Sequence, residues 1–423
     1  MKKYKKKAIV IVDPVSTGYT LVKIAKEKGL MVIAVITLPQ ACIKGEMKIF
    51  IPYADDILKG RRHTLFDEVL VDTYPDSIVN KLKKMNFQIQ AVIPGSEVGV
   101  ESASYIASMM NLPANDPKKA EACRNKYKMK KLLRNSGLEV GNSVLCHKNE
   151  VLFEVLEEFT FPVILKTPSG GGSHLVFSCL NMDQAKKAHD VIVNTPDCWG
   201  RYTQHSLIEE YIGGHQYAVN LFGDGLDTYI TDIWSEAKSK MLEQKNICTD
   251  NILQCSSSWS KEVESYAKQV CSVLGIKVGP VHLELRVTND GPKLIEVAAR
   301  FCGAKIPEQL SKYSNFNPIE ACLQVFSGEK NNIPQSIKYK KMMSILFLHS
   351  TKKGVFKGIK NLQKIKHLSS YDMHVCIPNQ GDLIYPTVSE MNIPAVFWFA
   401  HHDANMLKQD HDRALKLLEI EYA

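Results

Sequence analysis

The sequence has no apolar run long enough to cross a membrane and no cysteines spaced as metal ligands. The longest apolar stretches, residues 8–12 and 31–38, fall far short of the ~18 residues that a membrane helix needs. The eleven cysteines include no CxxC pair, and an odd number cannot all pair within one chain. We therefore expect reduced thiols and a cytoplasmic protein that makes no membrane contact.

The net charge and the basic N-terminal residues indicate which kinds of partner the protein can have. The formal net charge is +8, and five lysines stand among the first seven residues. These lysines precede only five apolar residues and no small-residue cleavage site, so they do not predict a secretory signal. Outside this tail no basic run is interleaved with aromatic residues, and we do not expect nucleic acid as a partner. Small molecules that carry phosphate suit the charge.

The usual dinucleotide fingerprint is missing as well. Strand 8–12, helix 19–28 and strand 31–36 predict a βαβ unit and a parallel sheet. Only one glycine, Gly18, occupies the first strand-to-helix turn, so the GxGxxG motif is absent. A nicotinamide cofactor is therefore not expected there.

A further parallel strand, residues 91–94, ends at three small or polar residues. Gly95, Ser96 and Glu97 lie at its carboxyl end, where open α/β sheets bind their ligands. A plain helix N-cap at Ser96 explains the pattern equally well.

A glycine-rich loop follows the strand FPVILK, which ends at Lys166. Backbone N–H groups of glycines can approach an anion closely. No lysine follows these glycines and no helix begins there, so the loop is not a GxxxxGK[ST] phosphate loop. Taken alone, it is more typical of a flexible turn than of a phosphate-binding loop. The loop comprises Ser169, Gly170, Gly171, Gly172, Ser173 and His174.

A lysine-rich helix is predicted at residues 118–137, before this loop. We expect most of its lysines, Lys130 and Lys131 among them, to form a solvated face. Lys126 is the exception, for a reason that depends on the rest of the chain.

An acidic linker is predicted after the loop. Residues 207–221 read as strand, connector and strand, with Glu209, Glu210 and Ile212 on the connector. The Gly213-Gly214 pair gives freedom for a hinge between two lobes, although an ordinary hairpin has the same pattern.

Two carboxylates stand on neighbouring strands of a predicted hairpin. Glu284 and Glu296 lie on apolar runs joined by Asn289-Asp290-Gly291, a hairpin turn signal. Folding at this turn sets the carboxylates opposite one another, as a magnesium site requires. Arg300 follows, with a planar group suited to a carboxylate or phosphate. A solvated hairpin with ordinary surface charges is the alternative.

Four of these features follow one another along the chain: the lysine-rich helix, the strand lysine with its glycine loop, the acidic linker and the two-carboxylate hairpin. Together they resemble the ATP-grasp superfamily. The likeness is greatest to its carboxylate-amine ligases, in the branch of L-amino acid (dipeptide) ligases and dapdiamide-synthetase-like enzymes. It implies an α/β plus α+β fold in three parts. These are a Rossmann-like pre-ATP-grasp domain (1–116), an ATP-grasp core (117–330) and a small C-terminal α+β subdomain (331–423).

The resemblance also implies roles for individual residues. The helix and strand lysines would bind nucleotide phosphates, the glycine loop would cover them, and the acidic linker would line the adenine. The implied nucleotide-binding residues are Lys126, Lys166, Ser169, Gly170, Gly171, Gly172, Ser173, Glu209, Glu210, Ile212 and Gln216. The implied metal ligands are Glu284 and Glu296. The implied catalytic residues are Lys166 and Arg300, and of these Arg300 would hold the substrate carboxylate or acyl phosphate.

Two positions depart from the family pattern. Gln216 stands where a glutamate often holds the ribose, and an amide can still hydrogen-bond a diol. Ala298 replaces the usual asparagine two residues after Glu296. The number of bound metal ions, one or two, is therefore left open. The cofactors implied are ATP and Mg²⁺ or Mn²⁺.

The resemblance implies an ADP-forming ligase that phosphorylates a carboxylate, with an amino acid as the expected substrate, and joins it to an amine. A carboxylase-type enzyme that uses bicarbonate and a non-catalytic nucleotide-binding regulator are the alternatives. Trp234 and Lys238 fall where related ligases contact substrate, although a core tryptophan and a surface lysine fit equally. The substrates and the oligomeric state, including a homodimer, are left open.

Overall fold

The part of the chain that the structure, a computed structural model, describes contains four β-sheets together with α-helices. No helix in that part is long and apolar enough to cross a membrane, and its nine cysteines are all unpaired. The described residues are 6–15, 17–37, 65–238, 248–254, 259–330, 333–334 and 336–423.

The strands and helices alternate at first, and strands then dominate. The strands are β1 (Lys6–Val12), β2 (Met31–Ile36), β3 (Glu68–Val71), β4 (Phe87–Pro94), β5 (Ser143–His147), β6 (Val163–Lys166), β7 (Phe177–Cys179), β8 (His205–Glu210), β9 (His215–Asp224), β10 (Thr228–Lys238), β11 (Cys248–Leu253), β12 (Val278–Thr288), β13 (Gly291–Ala298), β14 (Met342–Leu348), β15 (Gly354–Lys360), β16 (Tyr371–Cys376), β17 (Leu383–Ile384), β18 (Ala395–His401) and β19 (Glu419–Tyr422). The α-helices are α1 (Gly18–Glu27), α2 (Pro75–Lys84), α3 (Val100–Met109), α4 (Lys126–Asn135), α5 (Leu152–Leu156), α6 (Met182–Asn194), α7 (Lys261–Val273), α8 (Ile306–Tyr313), α9 (Pro318–Phe326), α10 (Leu362–Lys366) and α11 (Ala404–Leu417). Two 3₁₀ turns occur at Ala120–Cys123 and Glu390–Asn392.

The N-terminal sheet is parallel, in the order β3-β2-β1-β4. β1 is apolar at five consecutive positions because helices cover both of its faces. Ala8, Val10 and Val12 pack towards α2 and α3. Ile9 and Ile11 pack towards α1 and α9. The predicted βαβ unit and parallel sheet are confirmed, and a helix from much later in the chain completes their core.

The central sheet has eight strands in the order β13-β12-β9-β10-β11-β14-β18-β16. Its neighbouring strands pair antiparallel throughout. The C-terminal strands β14, β16 and β18 extend this sheet, whereas β17-β15-β19 form a separate small sheet. The domain boundaries at 117 and 331 stay a proposal, and strand pairing runs across the second of them.

A smaller sheet, β5-β8-β6-β7, lies between these parts in the sequence. One face packs on α5 and α6 through Leu156, Ala185, Ala188 and Ile192. β6 and β8 pair antiparallel, with Lys166 opposite Leu207 at the end of β6. This sheet therefore holds the strand lysine, the glycine loop and the acidic linker in one unit.

Two predicted elements differ from the structure. The continuous helix predicted at 118–137 is divided, because Asn125 is extended (φ −84°, ψ 107°) and its side chain accepts hydrogen bonds from the backbone N–H groups of Tyr127 and Lys128. Glu209 and Glu210 were predicted on a connector but end strand β8. Their backbone groups pair with β5 and β6, which extends the strand to residue 210.

The connector between β8 and β9 has two glycines in different surroundings. Gly214 has a φ of +85°, and a methyl group there would lie 2.1 Å from the Val287 carbonyl oxygen. Nothing lies within 4 Å of the corresponding point at Gly213. Only the second glycine is thus required by a close approach of backbone, here that of β12.

We predict that Gly214→Ala lowers the free energy of unfolding by about 1–3 kcal/mol, because alanine would be strained at this φ and would meet a backbone carbonyl. Gly213→Ala should change it by less than about 1 kcal/mol. Chemical denaturation of both variants measures the difference. Equal losses would show that the connector does not depend on Gly214.

Candidate active site

One cavity of about 410 Å³ brings together almost all the residues predicted for the site. Its walls come from the smaller sheet, the central sheet and the carboxyl end of the N-terminal sheet. The predicted residues that line it are Lys126, Lys166, Gly170, Gly171, Gly172, Ser173, Glu209, Glu210, Ile212, Gln216, Glu284, Glu296 and Arg300.

Ser169 is the predicted residue that the structure does not bring to this wall. The chain turns tightly after β6, and Thr167 Oγ1 lies 2.1 Å from where a Gly170 side chain would begin. Thr167 lines the cavity instead of Ser169. The assignment of Ser169 as a nucleotide contact stays a prediction.

The two acids of the hairpin lie opposite one another. Glu284 pairs with Glu296 across β12 and β13, next to a β-bulge. Directly opposite residues on antiparallel strands have Cβ atoms about 4.5–5.5 Å apart, so both carboxylates can reach one small ligand. Burial opposes ionisation of Glu284, but His282 and Lys238 outweigh it and lower its pKa to about 2. This carboxylate is therefore charged at neutral pH.

Lys126 joins the acid pair to the glycine loop. It begins helix α4, and its side chain is 7% exposed. The Lys126 ammonium lies 2.9 Å from Glu296 Oε2 and donates to the Gly170 carbonyl oxygen at 2.7 Å. Burial opposes its charge, but Glu296 and Glu97 raise its pKa above the usual value. The cavity thus contains a permanent cation.

Lys166 and Lys130 share one carboxylate. Lys166 Nζ lies 2.7 Å from Glu209 Oε2, and Lys130 Nζ lies 3.0 Å from Glu209 Oε1. The predicted solvated position of Lys130 is wrong, since this side chain is 0% exposed. Lys130 lies on the inner face of α4, one turn after Lys126, because residues four apart share one face of a helix. Lys131 is exposed, as predicted.

An arginine holds the connector that follows β8. Arg286 donates to the Ile212 carbonyl oxygen at 2.7 Å, and its guanidinium lies 5.2 Å from the centre of the Tyr211 ring. Glu209 and Glu210 point to opposite faces of the strand, with the Glu210 carboxylate close to Gly141. The connector is therefore anchored to the central sheet.

Gln216 lies within the acid cluster of the central sheet. Its side-chain N–H₂ group donates to Glu236 at 2.8 Å and to Glu284 at 3.0 Å, while Arg286 donates to its oxygen at 3.3 Å. A glutamate here would place a third carboxylate beside two others, and like charges at this distance repel. The amide found in this chain links the carboxylates instead.

Arg300 lines the same cavity and pairs with the carboxyl end of the N-terminal sheet. It donates to Glu97 Oε2 at 2.9 Å and to the Phe301 carbonyl oxygen at 2.9 Å. Burial opposes ionisation of Glu97, but Arg300, with Lys126 and Arg124, holds its pKa below the usual range. The Ser96 hydroxyl next to it is buried and has no hydrogen-bond partner among the described residues. Ser96 and Glu97 thus belong to the cavity wall.

The glycine loop contacts the C-terminal part of the chain. The Glu390 N–H donates to the Gly172 carbonyl oxygen at 3.0 Å, and Ser173 Oγ donates to Glu390 Oε1 at 3.5 Å. A side chain at Gly172, whose φ is +59°, would meet Met391. Desolvation in the cavity, together with repulsion from Glu284 and Glu236, raises the pKa of Glu390 to about 7 against the attraction of Lys238.

Sequence reasoning missed Glu236, Glu390 and Met391. The alternation of β10 could have indicated Glu236, because it shares a face with Lys238, which does line the cavity. Lys238 pairs with Glu236 at 3.3 Å. Trp234 is 0% exposed and packs edge-on against Trp398, so it is a core residue. No local signal marks Glu390 or Met391.

Comparisons with known proteins agree with this geometry. Residues 159–308 match the ATP-grasp domain family. Dapdiamide A synthase from Enterobacter agglomerans is 27% identical over 306 residues, which are 71% of this chain and 69% of that protein. An uncharacterised protein from Methanocaldococcus jannaschii is 22% identical over 358 residues, which are 84% of this chain and 82% of that protein.

Solved structures show the same fold along the whole chain. An L-amino acid ligase from Bacillus licheniformis has a TM-score of 0.77 and 18% identity, covering 99% of both chains. A phosphoribosylglycinamide synthetase from Anaerococcus prevotii has a TM-score of 0.66 and 16% identity, covering 99% of this chain and 100% of the other. These likenesses concern the fold alone. Together with the matched domain and the curated relative, they confirm the resemblance to the ATP-grasp carboxylate-amine ligases: the chain contains an ATP-grasp domain, and its relatives support an ADP-forming carbon-nitrogen ligase.

Proposed function

We propose that this enzyme uses ATP to phosphorylate the carboxylate of an amino acid and joins the resulting acyl phosphate to an amine, with release of ADP and phosphate. The observation that supports this most is the meeting of the Glu284–Glu296 pair, two buried lysines and Arg300 in one cavity. Dapdiamide A synthase and the L-amino acid ligase, the relatives named above, support an amide product.

The basic residues of the cavity suit a nucleotide. Lys126 and Lys166 offer ammonium groups, each with three N–H donors. Two donors of Lys126 already contact oxygens, those of Gly170 and Glu296, and phosphate oxygens can make the same kind of contact. The connector with Ile212 and the glycine loop with Gly170, Gly171 and Gly172 line the same cavity. We assign the adenine to the connector side and the phosphates to the loop.

The acids suit a magnesium or manganese ion. Among the described residues there is no group of three or more histidines, cysteines or acids placed to hold a metal ion. Mg²⁺ needs no such group, because it binds one or two carboxylates and completes its shell with water and phosphate oxygens. Glu284 and Glu296 are those two carboxylates in our proposal. The ion, when bound, neutralises negative charge that develops on the transferred phosphate.

The chain supplies positioning and electrostatics, and no side-chain nucleophile is needed. Arg300 would hold the substrate carboxylate through its planar N–H groups, close to the polar end of the N-terminal sheet. Lys126 and Lys166 would neutralise the negative charge of the nucleotide phosphates. The glycine loop, held against Glu390 and Met391, would exclude water that otherwise hydrolyses an acyl phosphate.

ADP release tests the proposal directly. Purified protein with MgATP is supplied with amino acids singly and in pairs, and the products of positive mixtures are analysed by mass. We expect ADP and phosphate in equal amounts, dependent on a carboxylate substrate, and an amide when an amine is present. Hydroxylamine in place of the amine should give a hydroxamate, since an acyl phosphate reacts with small nucleophiles.

Other outcomes of the same assay distinguish the alternatives. AMP and pyrophosphate would overturn the reaction type. Turnover with bicarbonate as the only carboxylate would indicate a carboxylase-type enzyme, and tight ATP binding without ADP in any mixture would indicate a regulator.

The metal assignment predicts the effect of Glu296→Gln. An amide removes a charged metal ligand and the ion-pair partner of Lys126, so turnover should fall by roughly 100-fold or more, while MgATP binding weakens less. Asp290→Asn, on the exposed turn of the same hairpin, is the matched control and should keep normal turnover. ADP release and MgATP titration measure both quantities. Normal turnover of Glu296→Gln would refute the assignment.

A further inference from the structure

Lys130 is a fully buried lysine that the function proposed above does not use. It lies on α4 one turn after Lys126, with 0% of its side chain exposed, and it does not line the cavity. A charged side chain is rarely found in such a position unless it is paired, because burial of an ammonium group is costly. Its surroundings therefore require an explanation.

The partner of Lys130 is a carboxylate that already has another cation. Glu209 Oε1 lies 3.0 Å from Lys130 Nζ, and Glu209 Oε2 lies 2.7 Å from Lys166 Nζ. The Glu209 side chain is 4% exposed and that of Lys166 is 5% exposed. One carboxylate is thus shared between two ammonium groups that water hardly reaches.

The cluster of Lys130, Glu209 and Lys166 has two positive charges and one negative charge. The next acid along the strand, Glu210, directs its carboxylate towards Gly141 on the other face. Burial lowers the pKa of Lys130, Glu209 opposes this, and Lys166 lowers the pKa further. The two ammonium groups therefore repel each other, and one positive charge is left without a matching acid within the cluster.

Lys166 is the member of the cluster through which that charge reaches a ligand. Lys166 and Glu209 line the cavity, whereas Lys130 lies behind them. If Lys130 were absent, Glu209 could turn both oxygens to Lys166, and the pair would be neutral. With Lys130 in place, Glu209 is divided between two cations, and Lys166 keeps positive charge facing the cavity.

We propose that Lys130 is a positioning residue for ATP: by taking one oxygen of Glu209, it leaves Lys166 with positive charge to bind the nucleotide phosphates. This inference rests on the proposed function, since it takes ATP as the ligand of the cavity. Lys130 itself touches neither ATP nor the substrate.

Four variants separate this role from a merely structural one. Lys130→Met removes the charge and keeps a side chain of similar length, while Lys130→Gln keeps a hydrogen-bond donor for Glu209 without the charge. Lys131→Met changes the exposed neighbour on the same helix and is the matched control. The double variant Lys130→Met with Glu209→Gln makes the cluster positive again, because Lys166 then has a neutral partner.

The affinities for MgATP and for adenosine, measured by titration calorimetry, are compared in all variants. Lys130→Met and Lys130→Gln should weaken MgATP binding by about 10-fold or more, as expected for loss of charge-assisted contacts, and leave adenosine binding unchanged. Lys131→Met should change MgATP affinity by less than about 2-fold. The double variant should bind MgATP more tightly than Lys130→Met does.

The contrary results are equally distinct. Wild-type affinity of Lys130→Gln for MgATP, equal losses for MgATP and adenosine, or a double variant weaker than Lys130→Met would each overturn the inference. Lys130→Gln answers the question if Lys130→Met does not fold, which thermal unfolding shows. Failure of the unmodified chain to bind MgATP would instead overturn the proposed function and this inference together.

Discussion

The register of β12 against β13 is the constraint on which the rest of the site depends. Side chains alternate between the two faces of a strand, so a shift of one residue would turn Glu284 or Glu296 away from the cavity. The turn sets this register: Gly291 has a φ of +99°, and Thr288 Oγ1 donates to the Gly291 carbonyl oxygen at 3.0 Å. The bulge after Glu284 adds local twist at the acid pair itself.

Buried charges in this cavity are tolerated because they are paired, and two of the pairs join different elements. Lys126 on α4 pairs with Glu296 on β13, and Arg300 pairs with Glu97 at the end of the N-terminal sheet. Breaking a buried ion pair by removing one partner is costly, so these pairs hold the separate sheets in a defined arrangement. The same groups remain available to a charged ligand, since phosphate and carboxylate oxygens can replace their present partners. If the proposed function holds, the stability of the site and its affinity for charged ligands depend on the same charges.

Sequence reasoning predicted well where the signal was local. The alternation in β12, the turn at Asn289 and the strand that ends in Lys166 each follow from neighbouring residues, and all are found in the structure. The prediction for Lys130 was wrong. The lysine-rich composition of the helix favours a solvated position for this side chain, but helical periodicity places it on the inner face, where it is buried. Only the position of Glu209 on a separate strand explains why a lysine can be buried there. Such a pairing depends on the tertiary fold and leaves no local pattern.

The C-terminal contacts of the site could not be predicted for the same reason, and they show how the glycine loop is held. A loop without apolar side chains has little surface to bury, so its conformation depends on what it packs against. Because Gly172 has no side chain, Met391 can lie directly against its backbone, and the Glu390 N–H satisfies its carbonyl oxygen. Strands β14, β16 and β18 extend the central sheet, which brings the segment with these residues back over the cavity. The C-terminal part of the chain therefore completes the cavity wall beside the glycine loop.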